Sequence, residues 1–314
     1  MNRSTLALTF EKAVEGFLLT LHAEGYSQST IAIYKWGLYK LSNFTPINLQ
    51  EVKKEHLLEA FSTFRDMDLK PASLQNIWTP MRSFFNWAQN EFQLSRPDLN
   101  IPCPQAVPPI INPFSSDEIR RLLSACNHTK RATSQKRESF LMKRPTAERD
   151  KAIILFLLDT GVRVSELARI TMQDLNLETG EIQIRPFGSG LKSKPRMVYI
   201  GKLSRSTLWR YLTGKSKQQD IYLFTTSAGY PLNRTSIRQL LVRIGEKAEV
   251  PNVYPHRFRH TFAIQYLRNG GDIFTLQRIL GHSSLEMVRR YLAIAKADCE
   301  TAHRKASPVD NWRL

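Results

Sequence analysis

Cysteine is scarce in this sequence. Cys103, Cys126 and Cys299 are the only three, an odd number with no C-x-x-C spacing. That argues against a disulfide framework and a structural zinc site, and fits a reducing compartment. No carboxylate cluster suited to a divalent metal is evident, so neither metal nor cofactor is expected. Long apolar runs are also missing: AIILFLL at 152–158 is too short to span a bilayer, and no membrane role is expected. The opening MNRSTLALTFEKAVEGF soon turns amphipathic, with Glu and Lys in it, and does not read as a signal peptide. Repeats and low-complexity tracts are absent. Negative charge is the remaining shortage: 28 Asp and Glu face 45 Lys and Arg, a formal charge of +17. The basic residues run along the whole chain, which fits a broad polyanion-binding surface, nucleic acid above all, better than a local address signal. Charge kept for solubility is the competing reading.

What is present divides in two. Phe10, Ala13, Val14, Phe17, Leu18 and Leu21 recur at helical spacing, and Gly25 marks a stop. Further helices are expected around Ile31–Leu41, Leu57–Phe64 and Leu74–Ala88, with Pro80 predicting a kink or a late start in the last. Residues 1–95 therefore read as an all-α, four-helix domain. Its basic residues, with Lys35, Lys40, Lys70 and Arg82 as candidate DNA contacts, suit a clamp on duplex DNA; Trp36, Trp78 and Trp87 read as core or rim. Six prolines in SRPDLNIPCPQAVPPIINPF make residues 96–113 a stiff, extended linker.

Residues 114–314 read as a second domain, mixed α/β and mainly helical. Ser115 and Glu118 have the spacing of a capping box. Residues 128–149 are strongly basic and read as a mobile surface loop that orders on DNA, with Lys130, Arg131, Lys136 and Arg137 as candidate contacts. A buried helix ends at Asp159–Gly161, and Arg163 follows at once, fixed by the backbone as an electrostatic catalyst should be. Glu166 is placed to orient Arg163 or tie helices together. EIQIRPF and PRMVYI read as strands of a hairpin whose tip, GSGLKSK, offers Lys192 and Lys194 as competing donors of a proton to a leaving oxygen; Arg196, just beyond, joins the candidate DNA contacts. Helices are expected over 203–212 and 234–246.

The densest chemistry lies between Tyr254 and Tyr291, where His256, Arg259, His260 and His282 precede a single phenol. A phenol can attack phosphorus, a guanidinium can hold nonbridging oxygens in a planar fork, and imidazoles can donate hydrogen bonds or exchange protons. Taken singly, Tyr291 would be a buried helix residue, His282 a cap and Arg163 a salt-bridge partner. Together they suit phosphoryl transfer without a metal, because the cations already supply the charge stabilisation.

Four ordered elements carry a resemblance to the tyrosine recombinases, the family of lambda-type phage integrases and Xer resolvases. TGVRVSEL resembles its first arginine box and implies a catalytic role for Arg163. HRFRHTFA implies the same for His256 and Arg259, with His260 a structural neighbour. LGHSSLEMVRRY, with its tyrosine nine residues after the histidine, implies His282 and Tyr291. The hairpin departs from the family pattern, since Ser189 stands where a lysine is usual; Lys192 fits the role if the hairpin is one residue shorter, and Lys194 is the alternative. The resemblance implies a core-binding (SAM-like) first domain and a recombinase catalytic second domain. It also implies cleavage of paired DNA half-sites through a 3′-phosphotyrosyl intermediate. Partners so implied are four protomers on synapsed DNA, with accessory recombination proteins, in a bacterial cytoplasm or nucleoid and on a mobile element. The tail after Tyr291 begins apolar enough for a helix, expected to dock on a neighbouring protomer, with packing on its own chain as the alternative. A type IB topoisomerase would use the same chemistry as a monomer, and a non-catalytic DNA-binding recombination factor is the reading from outside enzymes.

Overall fold

The computed structural model describes residues 8–106, 110–127, 132–134, 137–140, 144–186, 195–214, 221–282, 284–295 and 307–312. The chain divides into two compact units, the second beginning at residue 110.

The first unit is four helices, α1 (Phe10–Ala23), α2 (Gln28–Ser42), α3 (Lys54–Asp66) and α4 (Pro71–Phe92). Each start has a local cause. The Thr9 and Ser27 hydroxyls accept from the Lys12 and Thr30 amides, satisfying donors that a helix cannot pair internally, and Pro71 occupies the first turn of α4, where no amide is needed. Helix α4 runs through Pro80 without a break and ends where Gln93 turns left-handed, at φ 54°. Pro80 is buried against α2 at Gly37, where a Cβ would meet the Asn76 carbonyl at 2.8 Å. Phe10, Phe17, Phe84 and Phe85 form the aromatic centre of the core. Trp78 and Trp87 pack at its margin, while Trp36 is exposed.

The proline-rich segment is no free tether over its first half. Trp78 Nε1 donates to the Ile101 carbonyl at 3.1 Å and Gln75 to that of Pro104 at 2.8 Å. Asp98, fully buried, is held by Arg96 at 2.6 Å and Arg82 at 3.2 Å.

In the second unit, α5 (Ser116–Ala125) starts with the expected reciprocal cap: the Ser115 amide donates to Glu118 Oε2 at 2.8 Å and the Glu118 amide to Ser115 Oγ at 3.1 Å. The basic segment read as a mobile loop contains two paired antiparallel strands, β1 (Ala132–Ser134) and β2 (Arg137–Phe140). Helix α6 (Ala147–Thr160) is buried on nearly every side, with Ile153, Ile154, Phe156 and Leu157 in the main core. Burying each contributes about 1.5–3 kcal/mol relative to exposure. The short α7 (Val164–Leu167) follows, then an antiparallel sheet in the order β3 (Leu175–Asn176), β4 (Glu181–Ile184), β5 (Arg196–Tyr199). Strands β4 and β5 are the anticipated hairpin, pairing Ile182 with Val198 and Ile184 with Arg196; its tip, with Lys192 and Lys194, lies outside the described residues. Among the described residues there follow helices α8 (Lys202–Thr213), α9 (Arg234–Lys247), α10 (Pro255–Arg268), α11 (Ile273–Leu280) and α12 (Glu286–Ala295), and a last turn at Pro308–Trp312. The last three of these helices share a smaller core of Ala263, Ile264, Leu267, Leu276, Leu280, Val288 and Tyr291. No described helix is long and apolar enough to cross a membrane.

Candidate active site

Gly161 ends α6 in the left-handed region, φ 60°, and hands the chain to Arg163 at the start of α7. A Cβ at Gly161 would overlap the Phe262 ring and press on Leu280 at 3.0 Å, so the turn admits only glycine. Glu166, one turn on, accepts from the Arg163 amide at 2.7 Å and from Arg163 Nη1 at 3.1 Å. Its two oxygens also take both Nη groups of Arg196, at 3.0 and 2.8 Å. Burial pushes the Glu166 pKa up, but the hydrogen bonds and charges of Arg196 and Arg163 outweigh it and hold the carboxyl at about 2. Glu166 is thus an anchor for two guanidiniums, too acidic to act as a base near neutrality.

Arg196 corrects an expectation. Expected from the sequence to contact DNA, it is turned inward with its side chain only 7% exposed, and Nε donates to the Ile279 carbonyl at 2.6 Å. It therefore ties the hairpin strand β5 to α7 and to the end of α11.

Helix α10 supplies His256, Arg259 and His260. Arg259 is 3% exposed and donates to the carbonyls of Gly161 and Leu280, each at 2.8 Å, and to His282 Nε2 at 2.7 Å. Burial, then the charge of Arg163, lowers its pKa to about 10, so it stays cationic. These bonds occupy three of the five N–H groups a guanidinium carries, leaving two without a partner among the described residues. His282 follows Gly281, which caps α11 at φ 64°. Because a guanidinium has no acceptor, Nε2 must accept, which puts the neutral ring's proton on Nδ1. That Nδ1 is buried and has no partner among the described residues. Burial together with Arg259, Arg163 and Arg196 lowers the His282 pKa to about 4.

Tyr291 on α12 is 4% exposed, its ring stacked on His282 at 6.3 Å and 15°. Its hydroxyl lies 3.0 Å from His260 Nδ1. Burial raises the phenol pKa, against the opposing charges of Arg259, Arg290 and Arg163. His256, in the first turn of α10, keeps an exposed side chain; partial burial, then Arg259 and Arg163, lowers its pKa. The structure so brings Arg163, Glu166, His256, Arg259, His260, His282 and Tyr291 into one region.

The remaining candidates fare differently. Lys130, Arg131, Lys136, Lys192 and Lys194 lie outside the described residues, and Arg137 falls in β2 with its side chain undescribed. In the first unit Lys35 sits 5.6 Å from the Tyr39 ring and Lys40 5.7 Å from that of Trp36; Lys70 is exposed at the start of α4. Arg82 is committed to Asp98 and stacks over Trp78 at 5.6 Å, which leaves it a structural tie more than a free cation.

One positioning residue was missed. Arg257 is buried beside His256, donates to the carbonyls of Asn112 at 3.0 Å and Pro251 at 2.8 Å, pairs with Glu118 at 2.8 Å and stacks on Phe114 at 3.9 Å. It fastens the entry of the second unit to the helix that carries the site. The only sequence signal was its place between two motif residues.

A phenol, two arginines and imidazoles set around one corner of a mainly helical fold define a tyrosine recombinase. Comparison with known proteins agrees: the chain belongs to the phage integrase family, whose sequence model matches residues 113–298. Among curated relatives it is 28% identical to tyrosine recombinase XerD of Listeria monocytogenes, over 94% of this chain and 98% of that protein. Among solved structures it resembles the XerH site-specific recombinase bound to a palindromic difH substrate, with TM-score 0.73, 18% identity, and 98% of each chain covered. The Tn1549 transposon integrase in complex with transposon right end DNA gives TM-score 0.74 at 18% identity, covering 94% of this chain and 99% of that one.

Proposed function

We propose that this chain is a site-specific DNA recombinase in which Tyr291 attacks a backbone phosphodiester, leaving a 3′-phosphotyrosyl bond and a free 5′ hydroxyl. The observation that carries the reading is the Arg259 node: one buried guanidinium joins the Gly161 turn, the end of α11 and His282, whose ring stacks on Tyr291. Arg259 and Arg163 would neutralise the nonbridging oxygens of the transition state. The unpaired Nδ1–H of His282 suits a phosphate oxygen, as does the exposed imidazole of His256. Lys192, with Lys194 as the alternative, would protonate the leaving 5′ oxygen. The covalent adduct keeps the phosphodiester's bond energy, so a 5′ hydroxyl of another strand can reverse the step without a nucleotide cofactor.

The substrate is double-stranded DNA with paired half-sites, a reading supported by relatives solved on DNA. Four protomers on two duplexes would exchange strands in pairs, in a bacterial cytoplasm or on a mobile element. A suicide substrate nicked beside the cleavage site tests the chemistry. Native chain should accumulate a covalent complex that Tyr291→Phe abolishes; no complex with the native chain sinks the enzyme reading. Deleting residues 300–314 should shrink the DNA-bound assembly if the tail docks on a neighbour, and an unchanged tetramer with full recombination excludes that role.

A further inference from the structure

A phenol that attacks phosphorus must lose its proton, and the group that takes it must be a free base within hydrogen-bond reach. Two imidazoles border Tyr291, and they differ in what they offer. His282 presents its face, 6.3 Å away and nearly parallel, and its Nε2 is committed to Arg259. His260 presents a nitrogen: Nδ1 lies 3.0 Å from the Tyr291 hydroxyl. His256, four residues earlier on the same face of α10, has its ring 6.3 Å from that of His260 and is exposed, so it is open to substrate while His260 stands behind it, half-buried, against the phenol.

We propose that His260 is a catalytic residue, the general base that takes the phenolic proton from Tyr291. As Oη bonds to phosphorus, the proton passes to Nδ1; the bond from phosphorus to the 5′ oxygen breaks, and that oxygen takes a proton from the hairpin lysine. On rejoining, the 5′ hydroxyl gives its proton back to the lysine as its oxygen bonds to phosphorus, the Oη–phosphorus bond breaks, and His260 returns its proton to Oη. This step rests on Tyr291 being the nucleophile.

The surroundings of His260 give the base a substrate dependence. Burial, then His256 and Arg259 on its own helix and Arg290 on α12, lowers its pKa to about 4, so it is unprotonated near neutrality. The charged groups among these repel an imidazolium. A phosphodiester seated on Arg259 and Arg163 adds negative charge to the same pocket and offsets that repulsion, so the imidazole gains proton affinity when a phosphate is in place to be attacked. The resting phenol, raised by burial, stays protonated until then.

The test is single-turnover formation of the covalent complex on nicked suicide DNA, with His260→Ala and His260→Asn, each checked for unchanged DNA binding and melting temperature. Asn places an oxygen acceptor near the position of Nδ1 but cannot take the proton. Both variants should cleave about 10²–10⁴-fold more slowly near neutral pH and recover as pH rises towards ionisation of the phenol. A substrate with sulfur at the bridging 5′ position needs no protonation to leave, so it should rescue a lysine variant of the hairpin and leave the His260 deficit intact. The native enzyme supplies an arm free of folding effects: a solvent deuterium isotope effect should persist on the sulfur substrate. Wild-type rates in His260→Asn, faster cleavage in His260→Ala, rescue of either by sulfur, or loss of the isotope effect would each overturn the assignment. Covalent complex persisting in Tyr291→Phe would instead remove the nucleophile on which it rests.

Discussion

Glu166 keeps its charge in the interior because Arg163 and Arg196 surround it, and this makes it a source of pH-dependent stability. Its folded pKa, about 2, lies below the ordinary 4.5. A depressed carboxyl contributes stability that is present above the unfolded value and lost as pH falls through the folded one, here between about 4.5 and 2. The contribution is on the order of 3 kcal/mol, at roughly 1.4 kcal/mol per pH unit. Denaturant unfolding at pH 5 and pH 2.5 should show a steeper loss in the native chain than in Glu166→Gln; equal slopes would remove Glu166 as the source. Replacing Arg196 with Met leaves that carboxylate short of its strongest partner and should cost about 3–5 kcal/mol, the usual consequence of breaking a buried pair. Cleavage should fall with it, while DNA affinity holds; weakened affinity at full stability would return Arg196 to the DNA surface. That Arg163, His256, Arg259, His282 and Tyr291 belong to one region was legible from the sequence because their motifs fix identity and local spacing. Arg196 and Arg257 were not, because an arginine's burial depends on which partners the fold delivers: the Ile279 carbonyl lies 83 residues from Arg196, and Asn112 lies 145 residues from Arg257.

Most elements were readable from periodicity and caps. The Ser115–Glu118 box, the β4–β5 hairpin and helices α8 and α9 fall where expected, since each is decided by neighbours within a few residues. Proline restricts the local conformation without dictating tertiary contacts, and at two places the fold adds those contacts. Pro80 does not break α4, because packing against Gly37 of α2 stabilises a continuous helix. The prolines near residue 100 give an extended chain, yet Asp98, Ile101 and Pro104 fasten it to α4. The turn at Gly161 is the element on which the site most depends, since its carbonyl accepts from Arg259 and its φ places Arg163. Gly161→Ala adds a left-handed penalty of about 1–2 kcal/mol to the overlap with Phe262. A lower melting temperature should accompany loss of covalent complex; full cleavage by a stably folded variant would show that the turn tolerates a side chain.

At the scale of the whole molecule, charge divides into two populations with different consequences. The side chains of Arg196, Arg257 and Arg259 are buried and hydrogen-bonded to carbonyls, a carboxylate or an imidazole, so salt reaches them poorly. Among the described residues, Lys35, Lys53, Lys54, Lys70, Arg234 and Arg238 are exposed to solvent, where counterions compete with DNA. Binding and chemistry should therefore separate under salt. Affinity for duplex DNA should fall steeply, by about 10³–10⁵ between 50 and 200 mM salt if six to ten phosphates are contacted. The rate constant for covalent complex formation, measured at saturating DNA over the same range, should change little, because Arg259, the cation proposed to stabilise the transition state from the interior, is buried and held by Gly161, Leu280 and His282. Titrating salt in a binding assay and in single-turnover cleavage checks both halves. A cleavage rate that fell in parallel with affinity at saturation would mean that the catalytic cations are assembled by DNA from the solvent-exposed population and are not preset by the Arg259 and Glu166 nodes.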